Sequence, residues 1–592
     1  VTDSSKKRSE EFLKISGQFK LGALVTESSH SVTANLSDVA KQDAAAALKL
    51  LFDVDDDVIR KFHEFVESGR AGEIKETILR SLKSGGRIFF SGCGSTGRLS
   101  ILLDSVWRDF WQRRGQTDFE SRTVGVMAGG DYALIKSVEG FEDFAAFGKR
   151  QITDLGVSSK DIVFAITEGG ETSFVIGTAW AGVAAGAKVY FIYNNPDEIL
   201  REHVERSREV IQDSRVEKIN LTTGPMAITG STRMQATSIQ LCVMLTILEM
   251  VARDLLELDS TGVPQKFLEK LAEIHTCLKS PQLLAQLAGL VALEESVYRS
   301  GHRNNYFADR FGIDVLTDTT ERSPTYCTPP FRKFDDTTAT ESWAFLFLST
   351  QETPQAWEQI LKRKPRCIKW GENEVRKLVS EGKLASSCET IRKISCAELM
   401  RFKIGLDGLL HRALRNGDCA IGILSDTEKN SLLSRDGFHR VQLAAARKSG
   451  AKVGMICFGK SEIGNRELEI EPVFVSVPET DFLLDGVTRV AVKLVMNALS
   501  TCTMVRLGRV MGNYMVWVVP GNLKLIDRAT RYIVQLAGLS YEAANQLLFE
   551  VIEYVEPRMK LDQACPPVVG TAVLRAKYNL TNEEAEKRLL AE

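Results

Sequence analysis

Between Arg87 and Leu221 five short apolar runs, Arg87–Ser91, Thr123–Met127, Asp161–Ile166, Lys188–Tyr193 and Lys218–Leu221, alternate with helical stretches. That alternation marks βαβ units, which bury their strands as a parallel sheet covered by helices. After Gly97 the apolar positions Leu99, Leu102, Leu103, Val106, Trp107 and Phe110 recur at helical spacing, so the segment behind the first run is a helix with one buried stripe. The second half repeats the plan, with predicted strands at Ser296–Ser300, Ile313–Leu316, Cys367–Trp370, Ala420–Leu424, Lys452–Phe458 and Val473–Val477. Gly186-Ala187-Lys188-Val189 before one strand is echoed by Gly450-Ala451-Lys452-Val453 before another. A four-residue echo is slight, but the matching order of elements around it predicts a duplicated α/β domain.

From about Leu484 the strand signal fades and helical patterns take over, including Tyr541–Leu548 and Thr581–Leu590. Thr581 and Glu584 have the spacing of a capping box, and Glu583, Glu584 and Glu586 put carboxylates where a helix dipole favours them. The predicted organisation is an N-terminal arm over 1–50, α/β domains over 51–270 and 271–500, and a helical domain over 501–592. The 592 residues exceed what one core usually organises, in keeping with that division.

Charge narrows the partners. Lys+Arg total 75 against Asp+Glu 77, a formal net charge of -2, which gives neither nucleic acid nor an acidic membrane surface a basic face to bind. The 11 cysteines are scattered, without a C-x-x-C pair or a His/Cys cluster at metal-ligand spacing. The expectation is therefore reduced thiols in a cytoplasmic compartment, with no disulfide framework, metal or cofactor. Val1 to Lys20 are polar and charged, unlike a signal peptide, and the apolar stretch Ile239–Val251 is too short for a bilayer and carries Gln240 and Glu249. It reads as a buried helix.

Three loops carry the candidate chemistry. Ser91-Gly92-Cys93-Gly94-Ser95-Thr96-Gly97-Arg98 follows a strand and opens a helix. Glycines let backbone approach an anion, hydroxyls add donors, and the helix N-terminus presents free N–H groups. The segment is neither a Walker loop nor a G-x-G-x-x-G fingerprint, and a ligand-free glycine turn could share its sequence. Thr167-Glu168-Gly169-Gly170-Glu171-Thr172-Ser173 is a second such loop; Gly224-Pro225 followed by Thr229-Gly230-Ser231-Thr232-Arg233 is a third. Loops at the carboxyl ends of strands in one parallel sheet converge on one crevice, where such sheets bind ligands. Glu139, Glu142 and Asp143 follow Gly129-Gly130-Asp131 at another strand end; they suit general acid/base work, and equally a solvated helix-capping cluster.

These segments carry a family resemblance. Gly92-Cys93-Gly94-Ser95-Thr96-Gly97-Arg98-Leu99, Ala128-Gly129-Gly130, Glu139-Gly140-Phe141-Glu142-Asp143 and Ile228-Thr229-Gly230-Ser231-Thr232-Arg233-Met234 resemble the N-acetylmuramic acid 6-phosphate etherases. So do Asn497-Ala498-Leu499-Ser500-Thr501, Gly512-Asn513-Tyr514-Met515-Val516 and Asn522-Leu523-Lys524-Leu525-Ile526-Asp527-Arg528-Ala529. In the etherases the two sets of blocks lie close together in one sugar isomerase (SIS) domain; here Gln235 to Met496 intervenes. That layout is similar to the glucokinase regulatory proteins. The resemblance spans nearly the whole chain and is weak between about Pro264 and Phe482. It implies two tandem SIS domains, each a parallel sheet flanked by helices, plus a C-terminal helical lid, in a monomer that forms its pseudo-dimer internally.

The resemblance also implies a ligand and its residues. A phosphorylated hexose, of the fructose 6-phosphate or N-acetylmuramic acid 6-phosphate class, would lie among Gly94, Ser95, Thr96, Gly97, Gly169, Thr172, Ser231, Thr232 and Arg233, with Lys524 reaching over it. A sugar kinase is the protein partner the family suggests. Glu142 matches one catalytic carboxylate of the etherases, which eliminate lactate from the open-chain sugar; the other falls at Val106, which cannot move a proton. Glu168 and Glu171 stand where etherases have a serine-and-arginine loop, and together with Glu139 they are candidates for a replacement acid. Gly301-His302-Arg303-Asn304-Asn305, expected after the strand Ser296–Ser300, lacks the glycine spacing, so one sugar site is expected; His302 and Arg303 would sit at the domain interface or contribute across it. A sugar-phosphate sensor leads these expectations, with an etherase-type lyase and an aldose–ketose isomerase as alternatives.

Overall fold

Five parallel strands, β1 (Ile88–Gly92), β2 (Thr123–Met127), β3 (Ile162–Ile166), β4 (Lys188–Tyr193) and β5 (Val216–Asn220), form the first sheet in the order β2-β1-β3-β4-β5. β1, β2 and β3 are buried along their whole length, which is why they read as unbroken apolar runs. The computed structural model describes residues 3–16, 20–136, 138, 140–460, 471–521, 523–560 and 566–591; Glu139 and Asn522 lie outside them.

The second sheet is built from β6 (Asn304–Ala308), β7 (Ala344–Phe347), β8 (Cys419–Ser425), β9 (Lys452–Gly459) and β10 (Val473–Ser476), all parallel, in the order β10-β9-β8-β6-β7. Taken from the other edge it runs β7-β6-β8-β9-β10, the order of the first sheet. The chain is thus two copies of one α/β topology, each with its strand order reversing between the first and third strands (β1/β3 and β6/β8), the place where open sheets bind ligands.

Three predicted strands of the second half are corrected. Ser296–Ser300 lies at the end of the helix Pro281–Arg299, whose buried Leu287, Leu290, Val291, Glu294, Val297 and Tyr298 keep helical spacing through the apolar run. Ile313–Leu316 belongs to a helix, and Cys367–Trp370 is not a strand. The strands actually used were hidden. β6 begins with two asparagines, buried because Asn304 donates to Glu294 and Asn305 exchanges hydrogen bonds with Arg412. β7 has only four residues.

The helices that frame the site are α1 (Asp3–Ile15), α2 (Gly94–Arg113), α3 (Ser173–Ala184), α4 (Gln235–Leu255), α5 (Gly312–Tyr326), α6 (Thr353–Leu361), α7 (Gly486–Arg506), α8 (Leu523–Ala537), α9 (Tyr541–Lys560), α10 (Val568–Tyr578) and α11 (Asn582–Ala591). α4, the apolar segment of the sequence, is buried from Gln235 to Ala252. Its polar interruptions find partners: Gln240 donates to Asn194 Oδ1 at 2.6 Å, and Glu249 accepts from the backbone N–H groups of Leu483 and Leu484. α1 folds back onto α9 through Phe12–Phe549 and a 2.6 Å bond from Ser9 to Asn545. Thr581 and Glu584 close their capping box reciprocally, at 2.8 and 3.2 Å. None of the ten described cysteines forms a disulfide.

The two units are locked by buried ion pairs. Arg363 of the second unit donates to Asp104 on α2 and to both oxygens of Asp131 in the loop after β2, whose backbone N–H also reaches Arg366 O at 3.0 Å. Gly130 makes that approach possible: its φ is +70°, and a Cβ there would stand 2.9 Å from Arg366 O.

Candidate functional site

The glycine turn between β1 and α2 is held by its own hydroxyl. Thr96 Oγ1 accepts from the Cys93 N–H at 3.1 Å and donates to Cys93 O at 2.9 Å, so Thr96 is spent on the helix cap. Gly94 has φ +56°. Gly92 and Gly97 are packing glycines: a Cβ on Gly92 would lie 2.3 Å from the Thr96 backbone, and one on Gly97 2.6 Å from Met127 Cγ. Ser95 points elsewhere, donating to Glu321 on α5 at 3.0 Å. Glu321 also pairs with the fully buried Arg98, which is further held by Thr320 Oγ1 and the carbonyls of Ala133 and Leu134. Cys93 Sγ lies 3.7 Å from Glu142 Oε2, and burial together with that carboxylate keeps the thiol protonated.

The second loop, after β3, contains two carboxylates with opposite fates. Glu171 pairs with both Lys524, from α8, and Arg206; these cations outweigh its burial and hold its pKa at about 2. Glu168 is buried without such a pair, and desolvation, with Glu321 nearby, pushes its pKa up to about 7, although the Thr232 hydroxyl and Lys524 oppose the shift. Thr172 is the N-cap residue of α3, its hydroxyl 3.1 Å from that of Thr167, and Gly169 O accepts from Asn195. Lys524, partly exposed, is held charged by Glu171 and Glu142 despite the desolvation it meets there.

The third loop is pinned by the C-terminal helices. Tyr532 on α8 donates to Thr229 O at 2.5 Å, Asn513 O accepts from the Thr229 N–H at 2.9 Å, and Gly230 (φ +73°) leaves only 2.7 Å between a Cβ and Tyr532 Oη. Ser231 is buried beside them, and Thr232 faces Glu168. Arg233 turns to the second unit: Nη2 reaches Asp318 at 3.2 Å and Ser500 at 2.6 Å, and its guanidinium lies 5.5 Å from the Tyr326 ring centre. At the start of α8, Arg528 is tied to the buried Glu27 at 2.5 Å, which fixes the helix over the crevice from the N-terminal side as well.

Comparison with known proteins adds the family. Residues 71–181, which include the first two loops, match the model of the glucokinase regulatory protein N-terminal SIS domain. An N-acetylmuramic acid 6-phosphate etherase from Clostridioides difficile is 32% identical over 230 residues, covering 38% of this chain and 69% of that protein. The chain belongs to the N-acetylmuramic acid 6-phosphate etherase and glucokinase regulatory protein family. A second relative, N-acetylmuramic acid 6-phosphate etherase 1 from Bacillus licheniformis, is 30% identical over 216 residues, 36% of this chain and 64% of its own length. Among solved structures, the C-terminal domain of a Francisella tularensis glucosamine-fructose-6-phosphate aminotransferase has a TM-score of 0.44 at 12% identity, covering 79% of this chain and 96% of that one. As a member of this family the chain holds two SIS units in one polypeptide, the arrangement its duplicated strand order displays.

Within that family frame, the structure gathers Ser95, Glu142, Glu168, Thr232 and Lys524 around one crevice, uses Thr96 and Gly97 for the turn itself, and commits Arg233 to the second unit. Val106 is 3% exposed in the core of α2, where the adjacent Ser105 donates to Ile360 O of the second unit at 2.6 Å. Glu171 has no proton to give near neutrality, whereas Glu168 does. His302 and Arg303 do not reach the crevice: they precede β6, at the amino end of the second sheet, and pair there with Asp418. The loop equivalent to the glycine turn is Asp309-Arg310-Phe311 after β6, which corrects its expected position at Gly301–Asn305. Sequence reasoning missed Glu321, Glu27 and Arg206, which lie outside glycine loops and act through distant ion pairs. Among them only Glu321 had a signal, its place on the helix that follows the first strand of the second unit.

Proposed function

We propose that this chain binds a phosphorylated hexose in the crevice over the carboxyl ends of β1 and β3, and acts as a sugar-phosphate sensor. The observation that carries the proposal is the convergence of Lys524 with the glycine turn and the second loop. Two cations, Lys524 and Arg206, pair with Glu171, and Lys524 brings a positive charge beside backbone and hydroxyl donors suited to a phosphate. Glu142, Glu168 and Glu321 supply acceptors for sugar hydroxyls. The buried Val106, where the resemblance to etherases puts a catalytic carboxylate, favours sensing over turnover. The name of the matched regulatory-protein model supports a cytoplasmic sugar kinase as the partner that reads the bound state.

A second reading, an etherase-type lyase, is favoured by one observation: Glu168 holds a proton up to about pH 7 on a loop facing Glu142. The proposal is tested by a melting panel of fructose 6-phosphate, glucosamine 6-phosphate and N-acetylmuramate 6-phosphate. At least one should raise the melting temperature at concentrations below about 0.1 mM, where the parent sugars do not. Equal shifts with parent sugars at those concentrations would contradict it.

A further inference from the structure

The strand order that creates the crevice in the first unit is repeated in the second, and there too it opens a cavity. A space of about 290 Å³ lies over the carboxyl ends of β6 and β8, at the lower end of the range for small-molecule sites, about 300–1,000 Å³. The exchange between units is reciprocal. α5 of the second unit lends Glu321 to the first crevice, and α2 of the first unit lends Ser105 and Asp109 to the wall of the second cavity.

The anion position of this second site is already filled from within. Glu428, after β8, accepts from the Arg310 N–H at 3.1 Å, the Ser425 N–H at 2.8 Å and the Ser425 hydroxyl at 3.1 Å, so the backbone donors that could cradle a phosphate hold a carboxylate instead. What remains is electrically balanced: Arg310, Lys362 and Arg489 face Asp109, Asp309 and Glu428, with Ile313 and Ile360 as apolar surface. Most of these groups have partners, among them Lys362 with Asp109 at 2.9 Å, Gln359 with Asp309, and Arg489 with Asp314. One donor atom among them does not: Arg489 is 5% exposed, lines the cavity, and, although its Nη1 is paired, leaves its Nε buried without a hydrogen-bond partner.

We propose that the second unit holds a binding site for a small uncharged polyhydroxy compound, of unphosphorylated hexose size, in the cavity over β6 and β8. Each hydroxyl of such a ligand both donates and accepts, which suits a wall of alternating cations and carboxylates with no net charge, and one oxygen would satisfy Arg489 Nε. A phosphate ester is excluded because Glu428 occupies its place and would repel it. The site is independent of the phosphosugar crevice and of the function proposed for it.

The probes are D-sorbitol and D-fructose, followed by saturation-transfer NMR on the full chain. Saturable binding with a dissociation constant of about 1 mM is expected, unchanged in Lys524→Ala, which alters only the first crevice. Asp309→Asn and Gln359→Leu should each weaken it about tenfold, since each removes a hydrogen-bonding group from the wall. The idea fails if no saturable binding occurs below about 50 mM, if binding survives both wall substitutions, or if Lys524→Ala abolishes it. Melting curves verify that the variants fold; should either not fold, a wild-type crystal soaked in sorbitol decides, with density against Arg489 Nε expected and its absence counting against the site.

Discussion

Ser95, on the glycine turn of the first SIS unit, donates to Glu321 of the second unit across 3.0 Å, and Glu321 in turn neutralises the buried Arg98 three residues further along α2. The crevice is therefore a joint product of both units.

Removing one partner of a buried ion pair leaves an uncompensated charge, at a cost of about 3–5 kcal/mol. Glu321→Ala should lower stability by that order and loosen the seam between units, while Ser95→Ala, which deletes one hydroxyl, should cost about 1 kcal/mol. Chemical denaturation of the two variants checks the contrast. Equal, small losses would mean that Arg98 does not depend on Glu321.

Three acidic groups give two opposite pH signatures. Glu171 and Glu27 are both depressed from the ordinary 4.5 to about 2, so the stability they contribute is present above pH 4.5 and is lost as pH falls toward 2. Both hold the C-terminal helix α8 through Lys524, Arg528 and Arg531, so acid should release α8 before it melts the sheets. Hydrogen exchange at about pH 3 should show α8 amides losing protection first. Glu168 has the reverse sign: raised from 4.5 to about 7, its contribution is complete below pH 4.5 and lost as pH rises through 7. Glu168→Gln should flatten that part of the stability profile, and should also flatten any fall in phosphosugar affinity above pH 7.

The first sheet was legible because its strands are buried on both faces and so spell continuous apolar runs, and the three loops because glycine and hydroxyl residues at strand ends have few other uses. The second sheet was harder. Asn304 and Asn305 open β6 as buried polar residues paired with Glu294 and Arg412, and such partners are invisible to local pattern. The apolar Ser296–Ser300 run continued a helix whose phase only the preceding turns reveal. In the site, Lys524 was placed through a resemblance, whereas Glu27 and Glu321 reach the crevice by contacts 501 and 226 residues apart in sequence. No spacing rule encodes those.

Catalysis should be slow or absent. With Val106 in the core of α2, an acid/base contribution of about 10²–10⁴-fold is missing unless Glu168 replaces it. Lactate release from N-acetylmuramate 6-phosphate by the purified chain should be negligible, and Glu142→Gln should weaken binding rather than change a rate. Robust turnover abolished by both Glu142→Gln and Glu168→Gln would make this protein a lyase with a relocated acid.

The central claim is a phosphosugar bound jointly by the SIS loops and the C-terminal helix α8, and calorimetric titration of fructose 6-phosphate tests it most directly. Wild-type protein should bind at one site, unphosphorylated fructose should not displace the ligand, and Ser231→Ala and Lys524→Ala should each weaken binding about tenfold or more. Unchanged affinity in both variants, or displacement by unphosphorylated fructose, would contradict the account.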